Sequence, residues 1–276
     1  MRNIMSVDVE DWFCVYNLSR HIQYAEWDRC ESRVERNTIR LLDMFRKHRV
    51  EATFFVLGWV ADRFPDLVRE IERGGHEVAT HGYSHRLLTL MQPSEFSADL
   101  QRSLEVLAKV SNQEVRGFRA PSFSVTPKTL WAVEILKQNG IHYDSSVFPV
   151  RFHPEYGMPD SELGPYELAE GLTELPMSVA EIFGWRIPCC GGGYFRLYPY
   201  ALTRQLMRRC HAQGRPVIFY LHPWEADPKQ PRVKGMPWIK AFRHYNNLDK
   251  TEERLERLLE DFSFTSARTL LRSQDR

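Results

Sequence analysis

The chain has 276 residues, and 37 basic against 36 acidic side chains give a formal net charge of +1. That balance argues against a nucleic-acid binder held by bulk electrostatics and against a polybasic membrane-surface protein. With 43% hydrophobic and 26% charged residues, wholesale disorder is excluded, and the length suffices for a core that needs no staples.

In chain order, a short apolar strand is expected over Ile4 to Asp8, opening onto the acidic cluster Asp8, Glu10 and Asp11. Val34, Thr38, Leu41, Leu42 and Phe45 recur at the spacing of one helical face. Ala52 to Leu57 is a continuous apolar run ended by Gly58, as expected of a strand buried on both faces. Val60, Phe64, Leu67, Val68 and Ile71 predict one helix closed by Gly74-Gly75. A strand over His76 to Thr80 follows, then a helix opened by Pro93 and carrying Phe96, Leu100, Leu104 and Leu107. Val115 to Arg119 reads as a strand, Thr126-Pro127 as a helix start, and Ile141 to Asp144 as the next strand. A helix over Tyr200 to Cys210 and a strand over Val217 to His222 complete the series.

This alternation predicts an α/β protein with a parallel sheet, and at least six units in series favour a barrel over an open sheet. Residues 151–199 are rich in Pro and Gly and read as strands and loops, an insertion in a barrel spanning residues 1–225. Residues 226–276 read as a C-terminal extension ending in a charged helix from about Lys250 to Leu259. Cys14, Cys30, Cys189, Cys190 and Cys210 are odd in number and lack C-x-x-C spacing, which argues against a disulfide framework and for a reducing compartment. Three acids fall within the first eleven residues, where a secretory leader needs apolar ones, and no window reaches the length of a spanning helix. The expectation is a cytoplasmic protein without an integral membrane segment, held peripherally at the inner membrane at most through a partner.

Side chains at the carboxyl ends of parallel strands converge on one face. Those ends deliver Asp8, Glu10 and Asp11; His81 and His85; Arg119; Asp144; and His222. On a helical turn, two imidazoles four residues apart share a face and can share an ion, and one carboxylate completes a set that leaves room for water and substrate. Two nearby histidines are most often polar loop residues; their place after a strand, opposite an acidic strand end, favours the metal. One acid near position 8 should ligate and another act as base, and strand alternation puts Asp8 and Glu10 on one side. His222 is placed to act as general acid. Arg119 could orient the base or form a structural ion pair, and Asp144 could fix the His222 tautomer or cap a turn. Gly191-Gly192-Gly193 lacks the residues of a phosphate loop and suits a tight turn beside a groove. Trp12, Phe13, Trp185, Tyr194 and Trp224 lie near these residues in sequence and could stack on sugar rings. His21, His48, His76, His153, His211 and His244 fit no metal spacing and read as bystanders.

With these residues in hand, the chain resembles the polysaccharide deacetylase family, the NodB-homology or carbohydrate esterase 4 group. The carrying motifs are Ser6 to Asp11, Thr53-Phe54-Phe55-Val56, His81-Gly82-Tyr83-Ser84-His85, Arg119-Ala120-Pro121, Tyr143-Asp144-Ser145-Ser146 and Leu221-His222. The tail, with Phe242 to Tyr245 and Asn247 to Lys250, looks like that of members tied to exopolysaccharide synthesis in exosortase-bearing bacteria. The resemblance implies a distorted (β/α) barrel, a divalent metal, most often Zn2+, and hydrolysis of N-acetyl groups on an amino-sugar polymer. It implies Asp8 as base, His222 as acid, Arg119 as support of the base, and His81 and His85 as ligands. Trp12, Pro121, Tyr194 and Trp224 are expected around the saccharide, and the polysaccharide-synthesis machinery is an expected associate. The family's first motif has two adjacent aspartates; here Val9 fills the second place, so Glu10 is assigned as the metal carboxylate, with Asp11 as substitute. An amidase on a small amide and a silent carbohydrate-binding protein are the alternatives.

Overall fold

The computed structural model describes residues 1–151 and 157–274; His153 lies outside them. Its strands are β1 (Asn3–Val9), β2 (Thr53–Val56), β3 (Glu77–Thr80), β4 (Gly117–Phe118), β5 (Tyr143–Asp144), β6 (Tyr166–Ala169), β7 (Leu172–Glu174), β8 (Val179–Ile182), β9 (Trp185–Pro188), β10 (Ile218–Leu221) and β11 (Phe264–Thr265). The main sheet runs β10-β1-β2-β3-β4-β5-β7-β6, parallel throughout except for the β6–β7 hairpin. β8 and β9 form a separate antiparallel hairpin, and β11 pairs in parallel with the first residues of β1.

The sheet is curled into an incomplete barrel. In a flat sheet, the end of β4 would lie about 14 Å from β1, three strand spacings away. Instead, Arg119, just past β4, donates to Ser6 and Asp8 of β1, and the Phe123 ring centroid lies 4.8 Å from that of Tyr220 in β10. Alternation sorts the two faces. Ile4, Phe55, Ile218 and Tyr220 fill the barrel, while Met5, Val7, Val9, Phe54 and Val56 pack outward among the helices. The conformationally demanding glycine is Gly191: at φ 122° its ideal Cβ would lie 1.8 Å from the Tyr220 carbonyl oxygen, so only glycine lets that loop lie along β10.

Most expected elements are present, with three differences. The helix expected across Val60 to Ile71 is two, Gly58–Arg63 and Pro65–Arg73, because Phe64 precedes a proline and sits at φ −126°, ψ 60°, outside the helical region. Thr126-Pro127 does not open a helix. The Thr129 hydroxyl accepts from the Thr126 N–H and donates to the Ser124 carbonyl, which holds a turn, and the helix begins at Ala132. β4 is cut to two residues, closed over by the Tyr143 ring, which stands 2.1 Å from where a Gly117 Cβ would be. Beyond His222, helix Thr251–Asp261 buries Leu255, Leu258 and Leu259, and helix Ala267–Gln274 contributes Ala267 and Leu270 to the barrel interior. Among the described residues, no helix is long and apolar enough to cross a membrane.

Candidate active site

β1 ends at Val9, where the Glu10 N–H bonds back to the Asp8 carbonyl at 3.0 Å, and both carboxylates face one cleft of about 260 Å³. Val9 itself is buried in the outer core. After β3, His81 and His85 sit on a loop rather than the expected helical turn. Gly82 and His85 have positive φ, 72° and 52°, and Asp99 accepts the N–H groups of Tyr83 and Ser84 and the Ser84 hydroxyl. A left-handed histidine is costly, and this anchoring is what holds it.

The His81 Nδ1–H donates to the Arg119 carbonyl at 2.8 Å, which fixes the tautomer and leaves Nε2 as a lone-pair donor toward the cleft. Burial, and then the neighbouring His85, push His81 down to about 3, so the ring is neutral near pH 7. Burial opposes charge on Glu10, but His85, His222 and His81 outweigh it and hold the carboxyl below its ordinary range. Glu10 Oε2 lies 2.7 Å from His85 Nε2 without the alignment of a hydrogen bond, and Glu10 Oε2 and His85 Nδ1 are buried with no hydrogen-bond partner. Such groups are costly unless something else satisfies them. One donor atom from each of Glu10, His81 and His85 lies within 4.8 Å of the others. Two imidazole nitrogens and a carboxylate oxygen suit a zinc-like divalent cation and leave positions for water and substrate, so these residues fit the expected metal.

Asp11 has another task. Its Oδ2 accepts from the Ser32 hydroxyl and from the N–H groups of Arg33 and Val34, at the start of helix Val34–His48, and Oδ1 accepts from the Trp12 N–H. Asp11→Ala is therefore expected to cost about 2 kcal/mol in denaturant unfolding while bound metal stays at the wild-type level; a metal-free variant would return Asp11 to the ligand set.

Arg119 is fully buried. It donates to Asp8 Oδ1 at 2.6 Å, Ser6 Oγ at 2.9 Å, and the Ser145 carbonyl and hydroxyl at 3.0 and 2.9 Å. Asp8 is thereby pinned by Oδ1, with Oδ2 turned toward His222 Nε2 at 3.8 Å. His222 Nε2 also stands 3.3 Å from Glu10 Oε1. At 17% side-chain exposure, against 4% or less for His85, Glu10, Asp8 and Arg119, His222 is the group of this set open to an incoming ligand.

Of the two roles open to Asp144, the structure gives it the cap on the turn at Ser145-Ser146; the bond to His222 is made by Glu225 instead. Glu225 Oε2 accepts from the His222 backbone N–H at 3.0 Å and Nδ1–H at 2.9 Å, while Oε1 takes the Arg196 Nε–H at 2.6 Å. Arg196 in turn donates to the carbonyls of Arg243, His244 and Asn246. Burial works against a charged His222, but Glu225, with Glu10 and Asp8, raises it to about 9; Arg196 and His222 together lower Glu225 to about 2. Asp144 bonds the Ser145 N–H and Ser146 hydroxyl and pairs in register with Glu174, and burial lifts it to about 6.

Trp224 stacks between His222 and His244, at centroid distances of 5.1 and 4.5 Å, and directs its N–H at Glu10 Oε1. His244, read from sequence as a bystander, is thus part of the wall behind His222. Tyr194 and Trp224 line the cleft, joined by Tyr16, Phe123 and Tyr220. Trp12 does not; it is buried beside Phe13 and donates to the Glu31 carbonyl. Pro121 is buried as well, and its neighbours Ser122 and Phe123, both at positive φ, reach the cleft. Glu225 could have been found from its place three residues after His222, the spacing of a capping box; Arg196 and Asp99 carry no comparable signal.

Residues 18–143 match the family described as polysaccharide deacetylase, and residues 145–272 match one described as Domain of unknown function (DUF3473). Residues 18–143 are a polysaccharide deacetylase domain. The chain is 33% identical over 98 residues to the peptidoglycan-N-acetylglucosamine deacetylase of Bacillus cereus, covering 35% of this chain and 36% of that protein. It is 33% identical over 97 residues to the chitooligosaccharide deacetylase of Rhizobium leguminosarum bv. trifolii, covering 34% of this chain and 45% of that one. The chain thus spans under half the length of each of these two curated relatives. A Mycobacterium smegmatis structure described as a candidate polysaccharide deacetylase superposes with a TM-score of 0.62 over 99% of this chain and 92% of that one, at 22% identity, a likeness of fold. The deacetylase domain carries His81, His85 and Arg119. Asp8 and Glu10 precede its matched residues, and His222, Glu225 and Arg196 fall in the match of unknown function, so the curl of the sheet is what assembles the cleft.

Proposed function

We propose that this protein is a metal-dependent hydrolase that removes N-acetyl groups from an amino-sugar polysaccharide or oligosaccharide. One observation carries the reading: Glu10, His81 and His85 converge in the same cleft as Asp8 and His222, whose ring is held by Glu225. Glu10, His81 and His85 would hold one divalent cation, Zn2+ by the donor set, which when bound supplies Lewis-acid polarisation and a more acidic water. Asp8, oriented by Arg119, accepts the proton of the attacking water as the carbon–oxygen bond forms. His222 gives its Nε2 proton to the sugar nitrogen as the carbon–nitrogen bond breaks, leaving acetate and a free amine. Tyr194, part-buried in the cleft wall, offers a face on which a sugar ring can stack, while Trp224, with both faces taken by His222 and His244, serves as backing. The cleft opens past half-exposed Leu197 and Phe242, which favours a chain substrate over a small enclosed amide.

In this reading, residues 1–225 carry the catalytic groups, and the extension 226–276 adds β11 beside β1, fills the barrel interior with Ala267 and Leu270, and backs the acid through the carbonyls of Arg243, His244 and Asn246. A role in exopolysaccharide synthesis, beside the machinery that makes the polymer, rests on the tail residues Phe242 to Lys250.

The test is acetate release from N-acetylglucosamine oligomers, with bound metal measured in parallel. Release is expected to stop on chelation and return with zinc, and Glu10→Gln is expected to lose both metal and activity. Metal-loaded protein that releases no acetate from any N-acetylated saccharide would overturn the proposal.

A further inference from the structure

Between Asp227 and Asp249, the chain carries Lys229, Arg232, Lys234, Lys240 and Arg243 and no acidic residue, a local excess that the overall charge of +1 conceals. Among the described residues, none of the five forms an ion pair. The same segment contains the helix Trp238–Tyr245. Its inner side is fixed by the site, since His244 is buried against Trp224. Its outer side is bare: Trp238 is 77% exposed, Ile239 48% and Phe242 49%. At about 100° per residue, these three fall within one arc of about 100°, with Arg243 at its border.

We propose that this face docks on an anionic lipid bilayer. An apolar stripe of Trp, Ile and Phe bordered by unpaired Lys and Arg has the chemistry of an interfacial element: the apolar side chains enter the headgroup–acyl boundary, and the cations meet anionic headgroups. An acidic polysaccharide would satisfy the cations, and Trp238 could stack on a sugar, but it gives Ile239 nothing to do. The position adds a consequence. Phe242 and Arg243 also line the cleft, so docking sets the cleft mouth at the lipid surface, within reach of a saccharide held there. That consequence rests on the deacetylase reading; the docking does not.

The experiment is flotation of the full chain with phosphatidylcholine vesicles, with and without phosphatidylglycerol, at low and high salt. Binding is expected only with phosphatidylglycerol and should weaken with salt. The Trp238→Ala/Ile239→Ala double variant should bind about tenfold more weakly, and Lys234→Gln about fivefold. Both should release acetate from soluble oligomers at the wild-type rate. His222→Ala should float like wild type, so a failed deacetylase assay leaves docking decided on its own. The proposal is overturned if the protein stays with the soluble fraction, if the variants float equally, if it binds a soluble acidic polysaccharide and no vesicles, or if sedimentation shows the stripe closing a dimer.

Discussion

His222→Ala is expected to lower kcat by about 10²–10⁴-fold while leaving bound metal at the wild-type stoichiometry. Amide hydrolysis expels an amine, which leaves poorly unless protonated, and His222 is the cleft group best placed to supply that proton. Its Nδ1–H is committed to Glu225, so the transferable proton sits on Nε2, the nitrogen that faces Asp8 and Glu10. It is not one of the three converging donors, so removing it should spare the ion. His81→Ala should lose both, because it deletes a ligand already fixed in its metal-ready tautomer by the Arg119 carbonyl. Metal analysis beside single-turnover acetate release separates the two outcomes. Equal metal loss in both variants would place His222 among the ligands, and normal turnover in both would dismantle the site.

How much of this was legible before the structure follows from what each residue has to do. The central strands read correctly because a parallel sheet buries both faces and writes itself as uninterrupted apolar runs such as Thr53–Val56. The side chains past those strands were legible for the same reason: once the strands are placed, their ends are placed. Alternation along β1 put Asp8 and Glu10 on one side and left Asp11 pointing away, and the structure has Glu10 in the cleft and Asp11 at a helix start. The support of His222 was not legible. Arg196 and Glu225 lie 29 residues apart, and Arg196 comes from a short helix after a glycine turn in a region without βα rhythm. The stack of Trp224 and His244 escaped notice because a histidine used for its ring face obeys no ligand spacing. The helix break at Phe64 was missed because apolar periodicity ran straight across it, although Pro65 marked the boundary.

Glu225→Gln separates charge from geometry at the acid. Glutamine keeps a carbonyl oxygen for the His222 Nδ1–H, so the ring can hold its orientation, but the negative charge that favours the imidazolium is gone. Without a metal, burial is outweighed by Glu225, Glu10 and Asp8, which raise His222 to about 9; a cation held by Glu10 takes back part of that rise, so activity that needs the acid form should fall between neutrality and about pH 9. In the variant, the group should drop toward its ordinary value near 6.5, moving the alkaline fall of kcat/KM down by as much as about two pH units. The charge of Glu225 acts from outside the ligand set, so this displacement should survive metal loading. Linkage gives a second readout. A histidine raised in the folded state contributes stability that is fully present below its unfolded value near 6.5 and is lost as pH rises through about 9; Glu225, lowered to about 2, contributes stability present above 4.5 and lost as pH falls through about 2. Glu225→Gln should remove both contributions and leave the buried Arg196 guanidinium without its carboxylate, a loss of about 3 kcal/mol or more. Denaturant midpoints measured at pH 5, 7 and 9 report it, and the pH–rate profile reports the acid. A variant that loses stability yet keeps the wild-type alkaline fall would leave Glu225 as scaffold alone and assign the high-pH behaviour of His222 to Asp8 and Glu10.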